Sequence, residues 1–184
     1  RTPHSLKDNF EEYDFFKKIE ADLAIVVAYG QIIPKRYLDL PKKGFINIHA
    51  SLLPKWRGAA PIQRSIMKQE KETGISVMKI NDKLDEGDIS HTFKINIEEN
   101  ENAQSLTERL SMLASEKISD VIDSILDKEV SFKPQDHSQA TYAKKIKKNE
   151  GLIDWNEKAE TIIGKINGLF PYPGGYFIHK GERF

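Results

Sequence analysis

Residues 45–66 form the stretch FINIHASLLPKWRGAAPIQRSI. It begins as a buried strand would, and the proline-ended turn that follows leads into a helical pattern. Because side chains alternate across a strand, Asn47 and His49 share one face and project together near the strand's exit. An amide beside an imidazole does not contribute to the packing of a hydrophobic core, so the pair indicates either a functional site or an anchored loop.

The two side chains suit a reaction at a carbonyl carbon. A carboxamide N–H stabilises the oxyanion that forms as the carbonyl becomes tetrahedral, and an imidazole takes a proton from the attacking nucleophile near neutral pH. A carboxylate would fix the orientation of the ring and balance its charge. The loop NDKLDEGD offers Asp82, Asp85 and Asp88 for this role, and the residues alone do not rank them. The predicted chemistry is therefore acyl transfer.

The flanking sequence predicts an α/β fold. An apolar run at residues 21–28 is typical of a parallel strand covered on both faces, and shorter runs at 74–80 and 89–97 predict further strands. Helices are expected at residues 8–19, 33–38, 58–68, 103–128 and 156–169. In such sheets, ligands bind beyond the carboxyl ends of the strands. We therefore expect the end of the His49 strand and the acidic loop to meet at one edge.

Composition limits the class of protein. Of the 184 residues, 39% are hydrophobic and 30% are charged, as is usual for a globular protein. There is no cysteine, which excludes disulfides and thiolate metal sites and fits a cytoplasmic location. The longest apolar run, residues 23–29, is too short to cross a bilayer, so no membrane association is expected.

Other site chemistries fit less well. A serine hydrolase built on Ser51 would need a G-x-S-x-G elbow, and a phosphate loop would need its own glycine pattern; the sequence contains neither. His49, Asp85 and His91 lack a recognisable metal-ligand spacing, so no metal is expected. These exclusions leave acyl transfer as the leading chemistry.

Charge is spread unevenly, although the formal net charge is zero. Residues 31–80 carry +7, from 10 basic and 3 acidic residues, whereas residues 81–130 carry −8, from 5 basic and 13 acidic residues. The basic block surrounds the Asn47–His49 pair. It indicates either a solvated face or an anionic substrate near that pair.

Three motifs, in this order and spacing, resemble the folate-dependent formyltransferase family. They are VVAYGQIIP at residues 26–34, NIHASLLPKWRGAAPIQ at 47–63 and LDEGD at 84–88. Later, GLIDW at 151–155 and PYPGG at 171–175 resemble the start of the family's second domain. The resemblance covers nearly the whole chain and is most specific over the first three motifs.

The resemblance implies a Rossmann-like formyltransferase sheet with helices on both faces, with the family's N-terminal strands missing. It divides the chain into a catalytic domain at residues 1–133, incomplete at its N-terminus, and a linker at 134–150. Residues 151–184 would be the truncated start of a small β-barrel C-terminal domain.

The resemblance also implies a reaction, in which a formyl group passes from 10-formyltetrahydrofolate to the α-amino group of methionine on initiator tRNA. By motif position, Asn47 would hold the formyl oxygen as it becomes an oxyanion. His49 would assist removal of the amine's proton, with Asp85 orienting or charge-balancing the ring. The residues expected to contact the folate are Ser51, Leu52, Leu53, Pro54, Tyr29, Gly30, Ile32 and Ile33. We expect the enzyme to be a monomer.

Cations of the basic block are expected to contact the phosphates of the tRNA in a salt-dependent way. These residues are Arg36, Lys55, Arg57 and Arg64. Arg57 has an alternative role, which is to anchor its own glycine-containing turn by bonding carbonyls. The run YAKKIKK at residues 142–148 either extends the basic surface or belongs to a solvated linker.

Alternatives remain for the acceptor and for the class of protein. A nucleotide-sugar N-formyltransferase would share the N-x-H…SLLP and LDxGD motifs, although WRGAAPIQR resembles the tRNA-acting enzymes more closely. A formyltransferase acting on phosphoribosyl-glycinamide would lack the GLIDW…PYPGG extension. A non-catalytic RNA-binding module would bind tRNA without depending on Asn47 or His49.

Overall fold

The computed structural model describes residues 3–127 and 130–184. Its helices are α1 (Phe10–Lys18), α2 (Lys35–Leu38), α3 (Pro61–Met67), α4 (Ala103–Asp127) and α5 (Ala159–Gly168). Its strands are β1 (Ala24–Val26), β2 (Phe45–His49), β3 (Arg57–Gly58), β4 (Glu72–Lys79), β5 (Ile89–Asn96), β6 (Tyr142–Ala143), β7 (Ile178–His179) and β8 (Glu182–Arg183). The predicted helices are confirmed with shifted ends, and residue 128, where one was expected to end, lies outside the described ranges.

The main sheet of the described residues has four strands in the order β1-β2-β4-β5 and is mixed. β1 runs parallel to β2, whereas β4 is antiparallel to β2 and β5 is antiparallel to β4. β3 pairs in parallel with β6, and β7 pairs with β8 as an antiparallel hairpin. The predicted α/β class is therefore confirmed, with a sheet that mixes parallel and antiparallel pairs.

Helices cover both faces of this sheet. On one face, α4 packs buried apolar side chains against Ile46 of β2, and burying such an aliphatic side chain contributes about 1.5–3 kcal/mol. On the other face, Phe16 of α1 stacks on Phe45 of β2, with ring centroids 5.6 Å apart. Since side chains alternate along β2, Asn47 and His49 project on the α1 side of the sheet.

The acidic loop reaches His49 by a route that differs from the predicted one. In the register of β2 and β4, Ile46 lies opposite Lys79 and His49 lies opposite Ser76. The carboxyl end of β4 therefore lies beside the amino end of β2, at the end of the strands opposite to His49. The expectation that two carboxyl ends meet was wrong because it assumed parallel strands. Residues 80–88 have to fold back to bring Asp85 to the imidazole.

β1 is shorter and more exposed than the sequence predicted. It spans three residues rather than the whole run 21–28, and it pairs only with β2 in the described part of the sheet. Ile25 is 41% exposed, so the expectation of cover on both faces was wrong for this strand. The left-handed conformation of Ala28, with φ of 48°, turns the chain out of the strand direction.

The segment predicted as a linker, residues 134–150, packs against the sheet domain. Lys133, just before it, forms an isolated antiparallel bridge with Ile89. β6 then pairs in parallel with β3, and short 3-10 helices occupy His137–Gln139 and Lys148–Gly151. These contacts join the segment and the residue before it to the carboxyl end of the acidic loop and to the turn after β2.

α5 packs directly against α3 because glycines let the two helices approach. A Cβ atom at Gly168 would lie 2.5 Å from Cγ of Met67, and one at Gly164 would lie 2.9 Å from the carbonyl oxygen of Met67. The chain after α5 forms the β7–β8 hairpin, which fits the start of a small second domain. Within the described ranges, every helix is too short or too polar to cross a lipid bilayer.

Candidate active site

His49 is buried at the end of β2, with 6% of its surface exposed. Its Nε2 atom lies 2.8 Å from the carbonyl oxygen of Trp56 in the following turn. A carbonyl only accepts hydrogen bonds, so Nε2 carries the proton and Nδ1 is the basic nitrogen of the neutral ring. Nδ1 lies 3.7 Å from Oδ2 of Asp85. The arrangement can accept a proton at Nδ1 and stabilise the resulting cation.

Among the three aspartates of the loop, the structure brings Asp85 to the imidazole. Asp82 is exposed, and Asp88 uses its carbonyl oxygen to accept from the Lys79 N–H at the end of β4. Asp85 Oδ2 also accepts from the backbone N–H of Gly58 at 2.8 Å. This charge-assisted bond fixes the carboxylate oxygen that faces His49.

Asn47 lies on the same strand face as His49, two residues earlier, so the Cα atoms of these two residues are about 6.6 Å apart. Its side chain is half-buried, and within residues 3–127 and 130–184 the carboxamide has no hydrogen-bond partner. A half-buried carboxamide with unused donors is suited to bind an oxygen of a ligand. Both predicted side chains therefore project from the end of β2 on the same side.

The turn after β2 is held from inside by buried serines. Ser76 Oγ donates to the carbonyl oxygen of Ser51 at 2.7 Å and accepts from the N–H of Leu53 at 3.1 Å. Ser51 Oγ donates to the carbonyl oxygen four residues on, at 2.6 Å. The side chains of Ser51 and Leu53 are therefore turned inward, and the Ser51 carbonyl and the Leu53 N–H are also bonded within the protein. Leu52 and Pro54 are partly exposed.

The turn after β1 lies at the same edge of the sheet as His49. β1 and β2 are parallel and pair Val26 with Asn47, so the residues that follow β1 continue beside the end of β2. Tyr29 is exposed, and Ile32 is 92% exposed. Gly30 adopts the left-handed conformation, with φ of 71°, that the tight turn requires. An apolar turn beside a polar pair can bind a flat, mixed-polarity ligand.

Arg57, predicted to contact phosphates, is buried with 1% of its surface exposed. Its Nε and Nη2 atoms donate to Oε1 of Gln135 at 3.1 and 2.7 Å, and Nη1 lies 3.3 Å from Oε1 of Glu86. This guanidinium is not available to a phosphate, contrary to the prediction. The alternative prediction of an anchoring role is nearer to the structure, although the anchored groups are side chains rather than carbonyls.

Two of the other predicted phosphate contacts are also engaged inside the protein. Arg36 lies over three aromatic rings of α1 and α2, 5.0–5.6 Å from their centroids, and donates to the carbonyl oxygen of Leu6. Arg64 donates to both carboxylate oxygens of Glu150, with Nη2 3.1 Å from Oε1. Lys55 keeps an exposed side chain, 3.9 Å from Glu70. Of the four predicted contacts, Lys55 is thus the one with a solvent-facing cation.

A basic groove of about 440 Å³ lies between α3 and the segment that follows β6. Its lining residues are Trp56, Arg64, Lys68, Tyr142, Lys144, Lys145, Lys147, Asn149 and Glu150. The larger hollow, about 690 Å³, is lined by residues 3–12 and contains none of the predicted site residues. Of these two cavities, the smaller groove is therefore the better candidate for binding an anionic ligand, because lysines line it. It also contains Trp56, which belongs to the turn that bonds His49.

His91 is the third residue of the set whose spacing does not indicate a metal site. Its ring stacks on Phe93 at 6.1 Å, and its buried Nδ1 has no partner in the described residues. Nowhere in those residues do three or more His, Cys, Asp or Glu side chains gather closely enough to hold a metal ion. His91 is thus a partly buried side chain on the same face of β5 as Phe93, which packs against the core under α4.

Sequence reasoning missed the residues that support His49 and Asp85 from the segment after α4. Thr141 Oγ1 accepts from the N–H of Trp56 at 2.9 Å, and Gln135 bonds the loop of Asp85. The stretch around them lost its periodicity in the sequence, so it was interpreted as a linker. No local pattern marks a polar side chain whose partners lie far away in the chain.

Comparison with known proteins identifies the family. A family model described as formyl transferase matches residues 3–122, and one described as formyl transferase, C-terminal domain, matches residues 145–184. The methionyl-tRNA formyltransferase of Pelagibacter ubique is 61% identical over 184 residues, which are 100% of this chain and 59% of that protein. That of Brucella canis is 45% identical over 175 residues, 95% of this chain and 57% of that protein. The chain thus spans less than two thirds of the length of these curated relatives.

A solved structure shares the fold. The crystal structure of HypX from Aquifex aeolicus in complex with tetrahydrofolic acid superposes with a TM-score of 0.81 over 98% of this chain and 31% of that one. At 18% identity, this likeness concerns the fold alone. Together the two family models match residues 3–122 and 145–184, so the chain belongs to the formyl transferase family.

Proposed function

We propose that the full-length protein containing this chain transfers a formyl group from 10-formyltetrahydrofolate to the α-amino group of methionine on initiator tRNA. The observation that carries the proposal is the meeting of His49 and Asp85, 3.7 Å apart, at the end of the strand that presents Asn47. The 61% identity with a methionyl-tRNA formyltransferase supports the acceptor. A single chain supplies all three groups, which fits a monomer, and a chain without cysteine fits the cytoplasm.

In the proposed mechanism, the amine attacks the formyl carbon of the substrate 10-formyltetrahydrofolate. The bond between that carbon and the folate nitrogen then breaks, and tetrahydrofolate leaves with a proton on that nitrogen in place of the proton that the amine loses. Asn47 donates an N–H to the formyl oxygen as negative charge develops on it. His49 accepts the proton of the attacking amine at Nδ1, because Nε2–H is already bonded to Trp56. Asp85 balances the imidazolium charge, and its carboxylate is kept in place by the N–H of Gly58.

The proposed folate contacts divide into side chains and backbone. Tyr29 and Ile32 are exposed and apolar in the main, so they would pack against the flat ring system. Gly30 and Ile33 belong to the same turn. The inward side chains of Ser51 and Leu53 leave the backbone of that loop, with Leu52 and Pro54, to line the site. An apolar turn beside a loop whose backbone is held by internal hydrogen bonds fits the flat ring system of a pterin.

The proposed nucleic-acid surface rests on Lys55 and on the lysines of the basic groove. Lys68, Lys144 and Lys145 line the groove, and Trp56 joins it to the turn that bonds His49. Exposed lysines attract phosphates through an electrostatic, salt-dependent term. Arg36, Arg57 and Arg64 are left out, since their guanidinium groups bond protein atoms.

The assignment is tested by supplying 10-formyltetrahydrofolate to the full-length protein with either charged initiator tRNA or amino-sugar nucleotides. We expect formylation of the methionyl-tRNA alone. Formylation of the sugar but not of the tRNA would support the nucleotide-sugar alternative and overturn the assignment. Binding of tRNA without any transfer would support a non-catalytic RNA-binding module.

A further inference from the structure

Gln135 lies in the segment between α4 and β6 and is 6% exposed. Both the oxygen and the nitrogen of its side-chain amide form hydrogen bonds. Its Nε2 donates to the carbonyl oxygens of Asp85 at 2.9 Å and of Gly87 at 2.7 Å. Its Oε1 accepts from Nε and Nη2 of Arg57 at 3.1 and 2.7 Å. A side chain from outside the acidic loop thus holds the part of that loop that carries Asp85.

The chemistry of the partners allows only one orientation of the Gln135 amide. A guanidinium has no acceptor, so the atom facing Arg57 has to be the oxygen. Backbone carbonyls have no donor, so the atom facing Asp85 and Gly87 has to be the NH₂ group. The bonds to the loop therefore depend on a donor that only an amide of this reach supplies.

Arg57 ties the same loop a second time. Its Nη1 lies 3.3 Å from Oε1 of Glu86, which stands between the two residues that Gln135 bonds. Arg57, Gln135 and residues 85–87 thus form a closed ring of polar contacts that is largely shielded from water. Bonds in such an environment are stronger than in water, and losing one partner leaves the others unsatisfied.

The loop needs this outside support because its own sequence does little to hold it. Asp82 and Leu84 are exposed, so the tip of the loop has few packing contacts. Asp85 adopts a left-handed conformation with φ of 51°, and sparsely populated backbone states of this kind carry a free-energy cost. A conformation of that cost persists only where the surroundings impose it, and Gln135 bonds the carbonyl of that very residue.

We propose that Gln135 is a positioning residue for formyl transfer, which acts through Asp85 by fixing the loop that sets the carboxylate against His49. The proposal rests on the proposed role of Asp85. The N–H of Gly58 holds the Asp85 side chain, and Gln135 holds its backbone. Both contacts are needed, because a carboxylate on an unrestrained backbone can keep the bond to Gly58 while it moves relative to the ring.

The first test is the variant Gln135→Glu in the full-length protein. Glutamate keeps an oxygen for Arg57 but loses both donors to the loop and sets a carboxylate oxygen against two carbonyls. A displacement of about 1 Å at a catalytic group lowers turnover by about 10²-fold, and we expect a loss of that size in kcat with KM for 10-formyltetrahydrofolate unchanged. The matched control is Gln139→Glu, the same change at an exposed position of the same segment, which should keep wild-type turnover.

The second test separates action through Asp85 from a general structural role. If Gln135 acts through Asp85, the change Gln135→Glu should have no further effect on kcat in an Asp85→Asn background. Equal losses in both backgrounds would overturn the proposal, as would wild-type turnover of Gln135→Glu. An Asp85→Asn variant with wild-type turnover would instead refute the proposed role of Asp85, and the positioning role with it. If Gln135→Glu does not fold, Gln135→Asn, whose amide is one methylene shorter, enters the same cycle with the same outcomes.

Discussion

Nε2 of His49 lies 2.8 Å from the carbonyl oxygen of Trp56, within the turn that leaves β2. Because that oxygen only accepts, the neutral ring carries its proton on Nε2 and presents Nδ1 to Asp85. The turn therefore decides which nitrogen of the imidazole is basic. Thr141 supports this arrangement from the other side by accepting the N–H of Trp56.

Replacing His49 with glutamine tests this division of roles within the ring. A glutamine amide can still donate to the Trp56 carbonyl, but it has no basic nitrogen. We expect the fold to persist and kcat to fall by about 10²–10⁴-fold, the usual contribution of general acid–base catalysis. Steady-state formyl transfer, with the Tm as a check on folding, measures both; wild-type turnover would contradict a proton-accepting role.

The variant Asp85→Asn tests the charge that faces the imidazole. An asparagine oxygen can still accept from the N–H of Gly58, so the loop should keep its place while the negative charge is lost. We expect kcat to fall by about 10²-fold, within the range that a general base contributes. Asp82→Asn, the same change at an exposed acid of the same loop, is the control and should leave kcat unchanged.

The strand face of Asn47 and His49 could be predicted because alternation is a local property of the backbone. The identity of the acid could not be predicted from physical reasoning, since three aspartates of one loop look alike in the sequence. Asp85 is selected by a left-handed φ of 51° and by bonds to Gly58 and Gln135, which lie 27 and 50 residues away. The antiparallel register of β4, which the sequence did not reveal, determines where that loop starts.

The exposure of the basic residues could not be predicted from the sequence. An arginine in a basic block looks the same in the sequence whether it faces solvent or a buried glutamine. Arg57 and Arg64 turned out to bond Gln135 and Glu150, whose sequence positions lie 78 and 86 residues further on. Partners at such distances leave no periodic signal, so the exposure predicted for Arg57 and Arg64 was wrong, whereas Lys55 is exposed as predicted.

Lys55 is the residue with which the predicted tRNA contact can be tested. Its side chain is exposed, and its removal should lower the slope of log affinity for tRNA against log salt concentration by about 1. Lys117→Ala is the matched control, because α4 covers the face of the sheet opposite to Asn47 and His49. Titrations of both variants at several salt concentrations give the slopes; equal slopes in wild type and Lys55→Ala would contradict a phosphate contact.

The Arg64–Glu150 ion pair should make stability depend on pH. The hydrogen bond from Arg64 holds the pKa of Glu150 below its ordinary value of 4.5. A carboxyl group of this kind stabilises the fold fully above its unfolded-state pKa, and the contribution is lost as pH falls through the lower folded-state pKa. Urea unfolding should therefore show wild type more stable than Glu150→Gln at neutral pH, with the difference vanishing in acid. A difference that stays constant with pH would contradict this.

If Asn47 and His49 act together on one carbonyl group, the loss of Asn47 should appear in the single-turnover rate of formyl transfer by Asn47→Ala. Within the described residues the Asn47 carboxamide bonds nothing, so its removal should leave the Tm and the affinity for 10-formyltetrahydrofolate unchanged. The rate should fall by about 10²–10³-fold, as expected for loss of one oxyanion donor. A single-turnover rate equal to that of the wild type would contradict the claim.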